Sequence, residues 1–146
     1  MAATGLEVFD KSLQATHIWL DEIMETIGPD RKVAYRVLRA VLHALRDRLE
    51  VDEVAQLAAQ LPLVVRGIYY DAWDPHPRPE PIRSLDAFLV KIADELRDTR
   101  PVDPEDAARA VFGVISRHVT AGEVEDVKSQ LPEPIRRLWP ESDAVA

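Results

Sequence analysis

Residues 36–69 read RVLRAVLHALRDRLEVDEVAQLAAQLPLVVRGIY, and residues 106–139 read DAARAVFGVISRHVTAGEVEDVKSQLPEPIRRLW. The two stretches align without a gap at a constant offset of 70, and nine of the 34 positions are identical. Arg39-Ala40-Val41 matches Arg109-Ala110-Val111, and Glu53-Val54 matches Glu123-Val124. Gln60-Leu61-Pro62 matches Gln130-Leu131-Pro132, and Arg66 matches Arg136. Apolar positions exchange in kind, Leu45 for Ile115, Leu57 for Val127 and Tyr69 for Trp139. Self-similarity at a fixed period marks a repeated structural unit. The chain therefore reads as two tandem copies of a unit of about 70 residues, at about 9–70 and 83–140, with a connector at 70–82. One such unit is near the size at which a single core is marginal. The expectation is one domain over 1–146, with the copies packed about a pseudo-two-fold axis and sharing one core.

The period inside each copy is helical. Phe9, Leu13, Leu20, Met24 and Ile27 form one stripe, which stops at Gly28-Pro29, and Asp30 is placed to cap the next helix. Val33, Val37, Leu38, Val41, Leu45 and Leu49 form the second stripe, and Val54, Leu57 and Leu61 the third. Pro62 suits the start of a fourth helix carrying Val65, Ile68 and Tyr69. In the second copy, Ser84 and Asp103-Pro104 are helix starts, and Thr120 with Glu123 reads as a capping box. Only five glycines occur, with no Asn-Gly or Asp-Gly turn and no sustained alternation, so no strand is expected. The predicted fold is an all-α bundle of about seven to eight helices.

Composition narrows the class further. The 146 residues carry 26 acidic against 18 basic side chains, a net charge of −8, with 47% apolar and 30% charged residues. A mean hydropathy of −0.17 fits neither a disordered chain nor a membrane protein. No cysteine is present, so disulfides and thiolate metal sites are excluded and the cytoplasm is the natural compartment. No signal-peptide pattern opens the sequence, and no apolar run is long enough to span a bilayer. Residues 36–69 carry five cations against four carboxylates and residues 106–139 five against five, so neither copy has a basic footprint for nucleic acid. Most of the acid lies in the N-terminal part, the connector and the tail.

Familiar chemistry is largely absent. The glycines are isolated, so no phosphate-cradling loop exists, and there is no Gly-x-Ser-x-Gly elbow or His-Glu-x-x-His. His17 with Asp21, and His43 with Asp47, sit one helical turn apart, but neither pair recurs in the second copy. Helix-surface hydrogen bonding accounts for them better than a metal site. We expect no catalytic residue, cofactor or metal.

The LPxxxRxxY/W element that closes each copy, together with the helical pattern around it, resembles the bacterial family known as domain of unknown function 2267. The resemblance runs from about Leu6 to Pro140. It implies an all-helical bacterial cytosolic protein and brings no activity, substrate or catalytic residue.

Positions kept in both copies are expected to serve the fold. Arg39 with Glu53, and Arg109 with Glu123, are candidate structural ion pairs, and Arg66 and Arg136 are read as surface residues whose stems cover apolar neighbours. Positions without a counterpart are the candidates for contact with a partner. These are Trp73, His76 and Arg78 in the aromatic and proline-rich connector, and Trp19, which lies off the main stripe of its helix. The leading expectation is a non-enzymatic module that binds another protein or itself, as a homo-oligomer, most simply a dimer, and no nucleic acid or membrane. The alternative is an anionic-ligand binder or enzyme with a pocket between the copies, lined by Arg39 and Arg109.

Overall fold

Capping side chains set the helix starts. The computed structural model describes residues 4–75 and 80–141, and among them there are eight helices and no strand. These are α1 (Glu7–Ile27), α2 (Arg31–Arg48), α3 (Val51–Ala58), α4 (Leu63–Tyr70), α5 (Leu85–Glu95), α6 (Pro104–His118), α7 (Ala121–Ser129) and α8 (Glu133–Arg136). The Asp30 carboxylate accepts from the N–H groups of Lys32 and Val33, satisfying donors that α2 cannot satisfy itself. Ser84 does the same for α5 and Asp103 for α6, with Pro104 in the first turn. Gly28 ends α1 at φ +114°, a conformation open to glycine. A Cβ there would lie 2.9 Å from Arg100 Nη2, and Arg100 donates to the Ile27 carbonyl at 2.6 Å. A side chain from the second half of the sequence thus closes a helix of the first.

The long helices α2 and α6 cross at the centre. Twelve of the eighteen residues of α2 are buried, and α6 buries Ala107, Ala108, Ala110, Val111, Phe112, Val114 and Ile115. α1 and α5 each pack on both central helices, and α3 packs against α7. One continuous apolar cluster takes residues from both halves. Small residues at Ala40 and Ala110 sit in it, and Phe112 stacks on Trp139 at 4.3 Å between ring centres. Tyr69, the counterpart of Trp139, is also buried, and its hydroxyl donates to the Val54 carbonyl.

Residues related by the offset of 70 make reciprocal contacts. Gln60 Oε1 accepts from the Thr120 N–H, and Gln130 Oε1 accepts from the Glu50 N–H, both at 2.9 Å. Glu50 and Thr120 are the N-cap positions of α3 and α7. This exchange ties the start of each of these helices to a residue that follows the other. It also alters the expected capping box. Thr120 Oγ1 does accept from the Glu123 N–H, but Gln60 takes the Thr120 N–H, and the Glu123 carboxyl turns toward Glu53.

The repeated LPxxxR arginines have a specific structural task. Arg66 donates to the carbonyls of Ala58 and Leu61 at the end of α3, at 2.8 and 3.0 Å. Arg136 donates to the equivalent carbonyls of Lys128 and Leu131 at the end of α7, at 3.1 and 2.9 Å. Helix C-termini leave such carbonyls without partners, and a cation suits them.

The first stripe differs from expectation. The buried face of α1 is Ser12, Thr16, Trp19, Leu20 and Ile23, whereas Phe9 and Leu13 are exposed. The reason is the approach of α4. Ser12 Oγ accepts from the Val64 N–H at the start of α4, and Thr16 turns its hydroxyl inward to the Ser12 carbonyl.

Candidate functional site

The first half of α1 is the most conspicuous surface. Leu6, Phe9 and Leu13 are 53%, 46% and 38% exposed and follow one another at helical spacings of three and four. Leu63 is also exposed, and it lies beside the Val64 N–H that meets Ser12 of this helix. α1, at 21 residues the longest described helix, leaves Glu7, Val8, Phe9 and Lys11 of its first turns exposed. These turns are well built. The Thr4 hydroxyl and N–H both donate to the Asp10 carboxylate, and Lys11 pairs with Glu7 at 2.8 Å. An ordered helix presenting an unpartnered apolar face is a candidate interface.

Trp19 does not belong to that face. It is 1% exposed and stacks on His118 of α6, with ring centres 5.6 Å apart. Its position off the predicted stripe reflects the shift of the stripe itself. Beside it, Glu22 receives Arg117 at 2.7 Å and His118 at 2.9 Å, joining α1 to α6. Burial pushes the Glu22 carboxyl up, but these hydrogen bonds outweigh it and hold the group below the usual carboxylate range.

The described ends of the connector are fastened to the bundle. Arg46 spans Asp47 and the carbonyls of Tyr69 and Asp71, all at 2.8–2.9 Å. Lys91 of α5 bridges Asp47 and Glu80, the Glu80 N–H meets the Asp47 carbonyl, and Arg48 holds the Ile82 carbonyl. Burial raises the Asp47 carboxyl, but Arg46 and Lys91 pull it below its ordinary value. Trp73 is half-buried, packed on Tyr70 at 5.6 Å and against the core. His76 and Arg78 lie outside the described residues.

The expected ion pairs are replaced by others. Arg39 pairs with Asp71 at 2.8 Å, and Arg109 pairs with Glu105, one turn back on its own helix, at 3.0 Å. Glu53 and Glu123 are turned to each other across the α3–α7 contact, where neither arginine bonds them. His17 and Asp21 both hold Arg31, and His43 bonds the Ile68 carbonyl.

An open groove of about 750 Å³ separates the α1–α2 turn from the segment before α6. Arg31, Lys32, Arg36 and Arg100 line it with Asp30 and Asp98. It lies between the two halves, as the alternative reading requires, but its cations are different ones. Arg39 opens instead on a cavity of about 170 Å³ beside Tyr35, Arg36 and Glu95. Asp21 answers Arg31, Asp98 approaches Arg36 at 3.7 Å, and Asp30 occupies the N-terminus of α2.

Sequence reasoning missed the connector latch and the capping arginines. The latch residues Arg46, Asp47 and Lys91 show no motif, because apart from the adjacent Arg46–Asp47 pair their partners are distant in sequence or are backbone carbonyls. The arginines did show a signal, their recurrence in LPxxxR.

The family described as "Uncharacterized conserved protein (DUF2267)" matches residues 16–138. No curated protein matches the chain.

Proposed function

The chain belongs to the DUF2267 family, and since that membership supplies no activity, we propose from its geometry that it is a homotypic interaction module that self-associates through the first half of α1. The exposed row Leu6, Phe9 and Leu13 carries this reading. Its spacing is nearly symmetric about Phe9. An antiparallel pairing of two α1 helices therefore sets Leu6 against the partner's Leu13 twice and brings the two Phe9 rings together, as an isologous interface requires. The patch offers on the order of 300 Å² per copy, below the ~800 Å² per partner of a stable complex. Association is accordingly weak and concentration-dependent. We also place the protein in a bacterial cytoplasm as a duplicated, non-enzymatic bundle. The repeat at offset 70, the lack of cysteine and the family resemblance support this, and no described helix is long and apolar enough to cross a membrane.

The cysteine-free sequence makes the test direct. A Phe9→Cys chain treated with a short bismaleimide crosslinks to itself, and a Val8→Cys chain does not, because Val8 is 61% exposed on the far face of α1. Equal yields from the two positions, or none from either, refute the proposal.

The groove supports a second reading, an anionic small molecule held by Lys32, Arg36 and Arg100. Its carboxylates and existing ion pairs weaken it. A thermal shift with phosphate or a dicarboxylate, abolished by Lys32→Ala, favours this reading over self-association.

A further inference from the structure

Glu53 and Glu123 are the same position in the two copies, the third residue of α3 and of α7. A position that faces a two-fold axis meets its own counterpart, and here that counterpart is another carboxyl group. Both residues are buried, at 5% and 7% exposure. Their carboxyl groups face each other across the α3–α7 contact, and the buried Oε2 of each has no hydrogen-bond partner. An ionised carboxylate only accepts hydrogen bonds, so a bond between two carboxyls needs a proton on one of them.

The surroundings do not neutralise the pair. Asp126 of α7 adds further negative field at Glu123. Tyr69 reaches in from α4, and burial first, then Tyr70, and more weakly Glu53 and Glu123 push its phenol up, but its hydroxyl is already used on the Val54 carbonyl. The charges that act on Glu123 are both acidic, and Arg46 of α2, which acts on Tyr69, is committed to Asp47 and two carbonyls. Gln60 and Gln130 are neutral and hold the N-cap backbones. Burial, then Glu53, then Asp126 raise the Glu123 carboxyl to about 8.

We propose that the Glu53–Glu123 contact is a proton-operated joint between the two halves. One shared proton holds α3 against α7, and losing it sets two buried carboxylates against each other and loosens this end of the bundle. The inference does not depend on self-association through α1, which lies elsewhere. Because the folded value lies above the ordinary 4.5, folding takes up a proton between about pH 4.5 and 8. Stability is full at the acid end of that window, falls as pH rises through it, and levels off above. Within the window the folding equilibrium constant drops by up to about tenfold per pH unit.

The test is denaturant unfolding of the full chain between about pH 7 and 9, for the wild type, Glu53→Gln and Glu123→Gln. A carboxamide donates to the remaining carboxylate without a titratable proton. The wild type is expected to lose stability toward pH 8, and each variant to hold it and exceed the wild type about tenfold in folding constant at pH 9. A flat wild-type profile, or a slope kept by both variants, overturns the proposal. The infrared band of a buried carboxylic acid provides a readout that needs no variant. It is expected in the wild type at pH 7 and lost by about pH 9, and its absence at pH 7 overturns the proposal equally.

Discussion

Replacing Arg66 by methionine isolates the contribution of the LPxxxR motif. Methionine keeps a flexible apolar stem over the neighbours that the arginine covers, and removes only the guanidinium. That group makes two hydrogen bonds, at 2.8 Å to the Ala58 carbonyl and 3.0 Å to the Leu61 carbonyl. Bonds from a charged donor contribute about 1.5–3 kcal/mol each when fully buried. Arg66 is only half-buried, and water replaces part of what is lost, so the expected cost of Arg66→Met is about 1–2 kcal/mol. Arg136 makes the same pair of bonds at 3.1 and 2.9 Å but is exposed, so Arg136→Met is expected to cost about half as much. In urea the larger loss appears as a lower midpoint at unchanged m, and in heating as a fall of about 2–4 °C per kcal/mol. Two results contradict this role for the guanidinium. Arg66→Met unfolds within about 0.3 kcal/mol of the wild type, or Arg136→Met costs more than Arg66→Met.

Two further outcomes follow from the buried polar groups. Asp47→Ala leaves Arg46, whose side chain is 5% exposed, without its carboxylate, and is expected to destabilise by about 3–5 kcal/mol in denaturant unfolding. A loss under about 1 kcal/mol contradicts the latch described for the connector. His43 is held below its ordinary value of 6.5, first by burial and then by Arg46 and Arg39, although its bond to Ile68 opposes this. Its contribution to stability is therefore present above pH 6.5 and lost as pH falls below it. That sign is opposite to the Glu53–Glu123 pair, so it is read most cleanly in Glu123→Gln, where unfolding temperature should fall on acidification below 6.5 and stay level above.

Helix starts were legible because Asp30, Ser84, Asp103 and Thr120 act through neighbours two or three residues away. The recurrence at an offset of 70 was readable for the same kind of reason, since identity at a fixed offset needs no geometry. What escaped reading depends on contacts distant in sequence. The stripe of α1 turned because α4 uses Ser12 as an acceptor, and a serine in a helix gives no sign that it will be buried. The expected ion pairs assigned Arg39 and Arg109 to the glutamates because opposite charges recurred together. Asp71 and Glu105 took the two arginines, and the α3–α7 contact set Glu53 and Glu123 toward each other. Burial of Trp19 moved the candidate surface from that residue to Leu6, Phe9 and Leu13, of which Phe9 and Leu13 stood in the predicted stripe and Leu6 did not.

Self-association through α1 is most directly tested by sedimentation equilibrium of the unmodified chain, run from about ten micromolar to one millimolar beside Phe9→Glu. The expected result is a mass rising with concentration from 16.5 kDa toward twice that value, and a variant that stays at 16.5 kDa throughout. An unmodified chain that remains at 16.5 kDa over the whole range contradicts it, as does a Phe9→Glu chain that associates equally well.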